Sequence, residues 1–149
     1  MVAIGIVAVD LLVAFGMVIG VGHVASHIMK DDEGPLAALY ACELFGEGIV
    51  KGYSEVEFAP NDNITREQIA AIMHRYAAYK KYDTSAGENT NILSYADYAE
   101  ISEYAIPSVQ YAVGSGLIKG KTDSTINPSD NATRAETAEI LKRFIEANK

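Results

Sequence analysis

Two arginines, Arg66 and Arg134, lie 68 positions apart in the same local sequence, each directly after a threonine. The pattern predicts that both occupy the first turn of a helix, where the helix dipole disfavours a cation by up to about 1 kcal/mol. One explanation is an ion pair with a carboxylate close in sequence: Asp62, Asp130 or Glu67. The other is an anionic ligand, because the free N–H groups of a helix start and a planar guanidinium together suit a carboxylate or a phosphate. The repetition favours the anion, so we predict that Arg66 and Arg134 bind a ligand.

A Lys-Gly pair recurs at the same spacing, as Lys51-Gly52 and Lys119-Gly120. The lysine supplies positive charge, and the glycine allows a ligand to approach the backbone closely. We therefore predict that these four residues line the same ligand sites as the arginines. The alternative is a solvated lysine after a helix C-terminus, where the dipole favours a cation.

The threonines fit a local stabilising motif. Thr65 with Gln68, and Thr133 with Glu136, match the capping box, in which the hydroxyl and the longer side chain each satisfy one backbone N–H. Such a cap contributes about 1 kcal/mol to helix stability and indicates no function by itself.

These residues belong to a repeated unit. From Gly48 to Tyr76 against Gly116 to Phe144, 11 of 29 positions are identical without insertion or deletion, which is typical of a repeat module. Apolar residues at helical spacing predict that each unit consists of a helix, a loop and a second helix.

The predicted helices run from Leu36 to Glu47, from Thr65 to about Tyr79, from about Tyr104 to Gly114 and from Thr133 to about Ala147. Their predicted apolar faces are Leu36, Leu39, Tyr40, Leu44 and Phe45; Ile69, Ile72, Met73 and Tyr76; Tyr104, Ala105, Val109, Ala112 and Val113; and Ala138, Leu141, Phe144 and Ile145. Phe58 and Ile126 are the predicted apolar anchors of the two loops.

The chain divides into four segments by composition. Residues 1–33 form an apolar N-terminal segment, 34–80 a repeat with an incomplete start, 81–92 a polar linker and 93–149 a nearly complete repeat. Residues 1–22 have the length of a membrane span, but Asp10 interrupts them and no Lys or Arg precedes them. We expect a membrane-directed helix or a buried one.

Composition and motifs exclude several functions. The net charge of −8 provides no basic surface for nucleic acid, and the single cysteine, Cys42, rules out an internal disulfide. No catalytic triad, paired catalytic carboxylates or phosphate loop stands out, so we expect neither an enzyme nor a cofactor. His23 and His27 are four residues apart, but no third ligand has suitable spacing, and we predict no metal site.

The repeated pattern resembles the S-layer homology domain. The matching features are a helix ending in Gly-Ile-Val-Lys-Gly, an aromatic-x-Pro loop and an Asn-x-Thr-Arg-x-Glu/Gln helix start, and they cover about 36–79 and 93–148. In the second copy Tyr95-Ala96-Asp97 stands for the family's opening motif. The resemblance implies a mainly α fold, in which tandem helix-loop-helix repeats pack as a pseudo-symmetric helical bundle.

It also implies an extracellular module that anchors proteins non-covalently to the bacterial cell wall or S-layer. Such modules bind secondary cell-wall polysaccharides, commonly with a pyruvate ketal, and their signature arginine helps to hold the ligand. That role transfers to Arg66 and Arg134.

This sequence departs from the family pattern in the number of repeats and in some of the signature residues. Three repeats are usual, whereas two are recognisable here, so another chain or a dimer would supply the third, or residues 1–33 have displaced it. The first repeat has Glu67-Gln68 where the signature reads Ala-Glu, and the chain has no tryptophan. A helical protein-interaction or self-assembly module is the main alternative, and a small protein tethered to a membrane by residues 1–22 is another.

Overall fold

The structure is a computed structural model that describes residues 47–49, 51 and 63–148. The predictions for the apolar N-terminal helix, for the helix from Leu36, for Cys42, His23 and His27, and for the loop with Gly52, Phe58 and Asp62 lie outside these residues. The chain divides into two compact units, 1–64 and 65–149. In the described part of the first unit, Gly48 has a φ of +68° and Ile49 and Ile64 are buried.

The second unit contains all three α-helices of the described residues: α1 (Arg66–Tyr79), α2 (Ile106–Gly114) and α3 (Arg134–Ala147). The described residues form no strand and only two isolated β-bridges. The prediction of a mainly α fold is therefore confirmed. Within the same residues, no helix combines the length and the apolar character that crossing a membrane requires.

Helices α1 and α3 begin at the same signature and have equal lengths of 14 residues. The hydroxyl of Thr65 accepts from the N–H of Gln68, whose side chain accepts in return from the N–H of Thr65. Thr133 and Glu136 exchange the same pair of hydrogen bonds. The capping boxes predicted from the sequence are thus present at both helix starts.

Helix α2 follows two short 3₁₀ turns, Tyr98–Glu100 and Glu103–Ala105. Pro107 lies in its first turn, where the missing N–H costs no hydrogen bond. Beyond its end, Gly116 adopts a left-handed φ of +72°, the conformation in which a glycine commonly terminates a helix.

The segment predicted as a linker, residues 81–92, contains a 3₁₀ turn, Ser85–Gly87, that packs against α2. A methyl group added at Gly114 would overlap the hydroxyl of Thr90 and the carbonyl of Ala86. The side-chain amide of Gln110 also donates to the carbonyl of Thr90 at 3.3 Å. This polar stretch is therefore held against the second repeat.

The core of the second unit lies between the helices and the loop that precedes α3. All four residues of the predicted α1 face are buried, and the ring of Tyr76 meets that of Phe144 edge to face, with centroids 5.9 Å apart. Ile126, the predicted anchor of the loop, is 1% exposed.

Two predicted helix faces need correction. On α3, Ala138 is exposed and Leu141 and Ile145 are only half-buried, whereas the buried residues are Thr137, Ile140 and Phe144. They stand 68 positions after Ile69, Ile72 and Tyr76, so the repeat register identifies this face better than the apolar residues alone. In the segment before α2, Tyr104 was predicted to belong to the apolar face but is 54% exposed. Within α2, Tyr111 was not predicted to belong to that face but is buried, and it stacks on His74 with ring centroids 4.9 Å apart.

Candidate ligand-binding site

Arg66 is almost completely buried, with 4% of its surface exposed. Its Nε donates to the carbonyl of Ile126 at 2.9 Å, and its Nη2 donates to the carbonyl of Lys119 at 2.8 Å. Its Nη1 donates to Oε1 of Glu136 at 3.1 Å, which is also an ion pair. Arg66 belongs to the first repeat and all three acceptors belong to the second, so this guanidinium joins the repeats.

In this geometry Arg66 binds acceptors inside the protein, and its contact with an external anion stays a prediction. A guanidinium has five N–H donors in one plane, and here each of its three nitrogens already has an acceptor inside the protein. The ion-pair partner also differs from the carboxylates considered from the sequence, because it is Glu136, 70 residues further along the chain. The cation at this helix start is explained by tertiary contacts.

Glu136 connects the cap of α3 to Arg66. Its Oε2 accepts from the N–H of Thr133 at 2.8 Å, and its Oε1 accepts from Arg66. The backbone hydrogen bond from Thr133 is the main cause that holds the pKa of Glu136 below its usual value. Desolvation opposes this shift, and the Thr133 hydroxyl and the charges of Arg66 and Lys121 add to it. The carboxylate is therefore ionised at neutral pH.

Arg134 has the same sequence position as Arg66 but a different environment. Its side chain is exposed, and it makes no hydrogen bond or ion pair with the residues that the structure describes. The backbone N–H groups of Arg66 and Glu67 donate to the carbonyls of Asp130 and Pro128, each at 3.0 Å. Within residues 63–148, the corresponding N–H groups at the start of α3 have no backbone acceptor. This helix start retains donors and a positive charge.

The second Lys-Gly pair lies beside this helix start. The backbone of Lys119 and the first turn of α3 both contact the guanidinium of Arg66, and the side chain of Lys119 is exposed. Arg66 thus brings together the elements that carry Lys119 and Arg134. A Cβ added at Gly120 would overlap the carbonyls of Thr122 and Thr125, so the loop itself requires this glycine.

The first Lys-Gly pair is described only in part. Lys51 is exposed and belongs to the first unit, and Gly52 lies outside the described residues. The predicted ligand-binding role of this pair stays a prediction.

Comparison with known families agrees with the repeated signature. The model of the S-layer homology domain matches residues 35–70 and 94–138, which is more than half of the chain. The chain belongs to the S-layer homology domain family. The resemblance and the count of two repeats are confirmed, and with them the expected location at the bacterial cell surface.

Parts of several larger proteins are similar to this chain. An endoglucanase from Bacillus sp. (strain KSM-635) is 39% identical over 98 residues. The matching stretch covers 66% of this chain and 10% of the endoglucanase. A cellulosome-anchoring protein from Acetivibrio thermocellus is 33% identical over 97 residues, or 65% of this chain and 21% of that protein. The surface-layer 125 kDa protein of Lysinibacillus sphaericus is 33% identical over 103 residues, which are 66% of this chain and 8% of that protein. The chain thus spans at most about a fifth of these relatives, and no solved structure matches it.

Two acidic residues of these S-layer homology repeats have roles that the sequence reasoning missed. Asp97, in the opening motif of the second repeat, accepts from the N–H of Ile126 at 3.0 Å and from that of Asn127 at 2.6 Å, and so holds the loop before α3. Its place in the Tyr95-Ala96-Asp97 motif was a usable signal. Glu67 is buried and bonded to the second repeat, and its departure from the family signature was the only sequence signal for it.

Proposed function

We propose that this chain is a non-covalent anchor that binds a secondary cell-wall polysaccharide of the bacterial wall, with Arg134 pairing with the carboxylate of a pyruvate ketal. The contrast between the two signature arginines carries the proposal. Arg66 is enclosed by three acceptors, whereas Arg134 is exposed in the first turn of α3. A carboxylate presents two oxygens in one plane, which matches the donor geometry of a guanidinium.

The surroundings of Arg134 support an anionic ligand. The α3 start has N–H groups at Arg134 and Ala135 without a backbone acceptor among residues 63–148, and the helix dipole adds positive potential. Lys119, on the element that Arg66 holds against α3, supplies a second cation. The names of the cellulosome-anchoring and surface-layer relatives are consistent with an anchoring role for the repeats they share with this chain.

Sedimentation with purified bacterial cell walls tests the proposal. Arg134→Ala should weaken wall binding by about 10-fold or more, because a hydrogen bond to a charged group contributes about 1.5–3 kcal/mol. Lys142→Ala removes an exposed cation from the same helix and serves as the matched control, with binding expected to be unchanged. Chemical removal of pyruvate from the walls should weaken the parent chain to the level of the Arg134 variant.

Two results would contradict the mechanism. One is equal sedimentation of the parent chain and Arg134→Ala on intact walls. The other is undiminished binding after pyruvate has been removed. Thermal unfolding of Arg134→Ala must match the parent chain, so that a loss of binding reports on the site and not on the fold.

Self-assembly is the second candidate function, and one observation favours it. At the α1 start, the arginine and the first two N–H groups bind the loop of the following repeat. At the α3 start the arginine is exposed, and the same N–H groups have no backbone acceptor among residues 63–148. Another copy of the chain would then dock there and supply a third repeat. Sedimentation velocity separates the functions: a concentration-dependent oligomer that ignores wall polysaccharide and dissociates in Arg134→Ala favours assembly, whereas a monomer that binds walls favours the anchor.

A further inference from the structure

Glu67 places a carboxylate in a pocket formed by the start of the second repeat. Only 7% of the residue is exposed. Its Oε2 accepts from the N–H of Ser102 at 3.0 Å, and its Oε1 accepts from the hydroxyl of Ser102 at 2.7 Å. The hydroxyl of Tyr104 approaches the same Oε1 at a longer distance of 3.5 Å. Both carboxylate oxygens therefore have donors from a segment 35 to 37 residues away.

These donors are what a buried carboxylate needs when it forms no ion pair. No lysine or arginine forms an ion pair with Glu67 within the part of the chain that the structure describes. A buried charge without hydrogen bonds would cost several kcal/mol, so the N–H and the hydroxyl of Ser102 replace much of the lost hydration. The groups that contact the carboxylate of Glu67 are thus neutral donors, unlike the arginine of the site proposed on α3.

The other repeat shows that the helix start itself does not need this carboxylate. The position 68 residues after Glu67 is Ala135, which is exposed, and α3 still forms with its capping box intact. The capping box of α1 likewise uses Thr65 and Gln68 and not Glu67. The carboxylate of Glu67 therefore serves the pocket and not its own helix.

We infer that Ser102 and Tyr104 form a second carboxylate-binding pocket, which the chain fills with its own Glu67. In the parent chain this internal ligand holds the segment before α2 against the start of α1. When the side chain is truncated, a small external carboxylate such as formate or acetate takes its place and restores the lost stability. This site is separate from Arg134 and does not depend on wall binding.

Chemical rescue of Glu67→Ala in the full chain tests the inference. We expect this variant to melt roughly 5 °C or more below the parent chain in sodium chloride. Sodium formate or acetate at equal ionic strength and pH 7 should recover at least half of that difference, with a saturable dependence on concentration. The parent chain and Glu67→Gln, whose pockets are filled, should show no specific response to carboxylate. In Glu67→Ala/Ser102→Ala, which lacks the main hydroxyl donor but keeps the backbone N–H, the rescue should be clearly weaker.

Several outcomes would overturn the inference. They are a formate effect on Glu67→Ala no larger than that of chloride, an equal effect on the parent chain, or full rescue of the double variant. If Glu67→Ala is unfolded in chloride, the titration is followed by circular dichroism, and formate must then restore the helical signal. A chain that stays unfolded in formate contradicts the pocket. Because the readout is stability, the result is independent of whether Arg134→Ala loses wall binding.

Discussion

Replacing Arg66 with alanine should strongly destabilise the second unit, although the sequence signature marks this residue as a ligand contact. The substitution removes the group that joins the carbonyls of Lys119 and Ile126 to the carboxylate of Glu136. It also leaves a void where a side chain with 4% exposure was packed. The variant would therefore lose contacts between the two repeats, and the effect would not be confined to the α1 helix.

The expected magnitude follows from these contacts. Removing one partner of a buried ion pair costs about 3–5 kcal/mol, and each hydrogen bond to a charged group contributes about 1.5–3 kcal/mol. The values do not add, because the side chain of Glu136 is 30% exposed and water can reach part of the vacated site. We therefore expect a loss of about 4 kcal/mol in the free energy of unfolding. Since 1 kcal/mol shifts the melting temperature of a domain of this size by about 4–8 °C, the melting temperature should fall by roughly 15 °C or more.

Urea denaturation followed by circular dichroism measures this loss, and Arg134→Ala is the matched control. It makes the same chemical change at the same position of the other repeat, but on an exposed side chain, and should alter stability by no more than about 0.5 kcal/mol. Arg66→Lys retains the charge but not the planar set of donors, so its stability should lie between those of the parent chain and Arg66→Ala. Equal losses in the two alanine variants would refute the assignment of Arg66 as a bridge between repeats.

Two further predictions concern acidic residues. Asp97→Ala removes the acceptor of two loop N–H groups and should cost about 2–3 kcal/mol in urea denaturation. It should also speed amide hydrogen exchange in the loop before α3, and unchanged exchange there would contradict the role of Asp97. Because the pKa of Glu136 is lowered in the folded chain, its contribution to stability is present above the unfolded pKa of about 4.3 and is lost as the pH falls through the lower folded value. The parent chain should therefore lose more stability than Glu136→Gln between pH 7 and pH 3, and parallel pH profiles would show that Glu136 is not responsible.

Much of the fold could be predicted because its signals are local. The bounds of α1 and α3 follow from capping boxes whose members are three residues apart, and Gly116 ends α2 through its own backbone conformation. The face of α3 was less predictable, because counting apolar residues passes over the buried Thr137. Its hydroxyl donates to the carbonyl of Thr133 at 3.0 Å, which makes a polar side chain compatible with burial.

The candidate site was predictable in its residue types but not in their roles. Glu67 and Ser102 are 35 residues apart, and nothing in either local sequence indicates that the chain brings them together. Gly120 was expected to admit a ligand, whereas the carbonyls of its own loop occupy the space next to its Cα. For Glu67 the deciding neighbour lies 35 residues away, whereas for Gly120 it is the fold of its own loop, through the carbonyls of Thr122 and Thr125.

By itself, the sequence determined the repeat, the helix starts and the family, because these depend on residues within one unit and on their recurrence. Only the tertiary structure decided the environment of each signature arginine. The partners of Arg66 lie 53 to 70 residues away, and they surround its guanidinium with acceptors that a local motif does not specify. In the described residues Arg134 has no such neighbours and stays exposed to solvent. The role of a guanidinium depends on its burial and on the acceptors around it, so identical signatures produce a structural bridge in one repeat and a candidate ligand contact in the other.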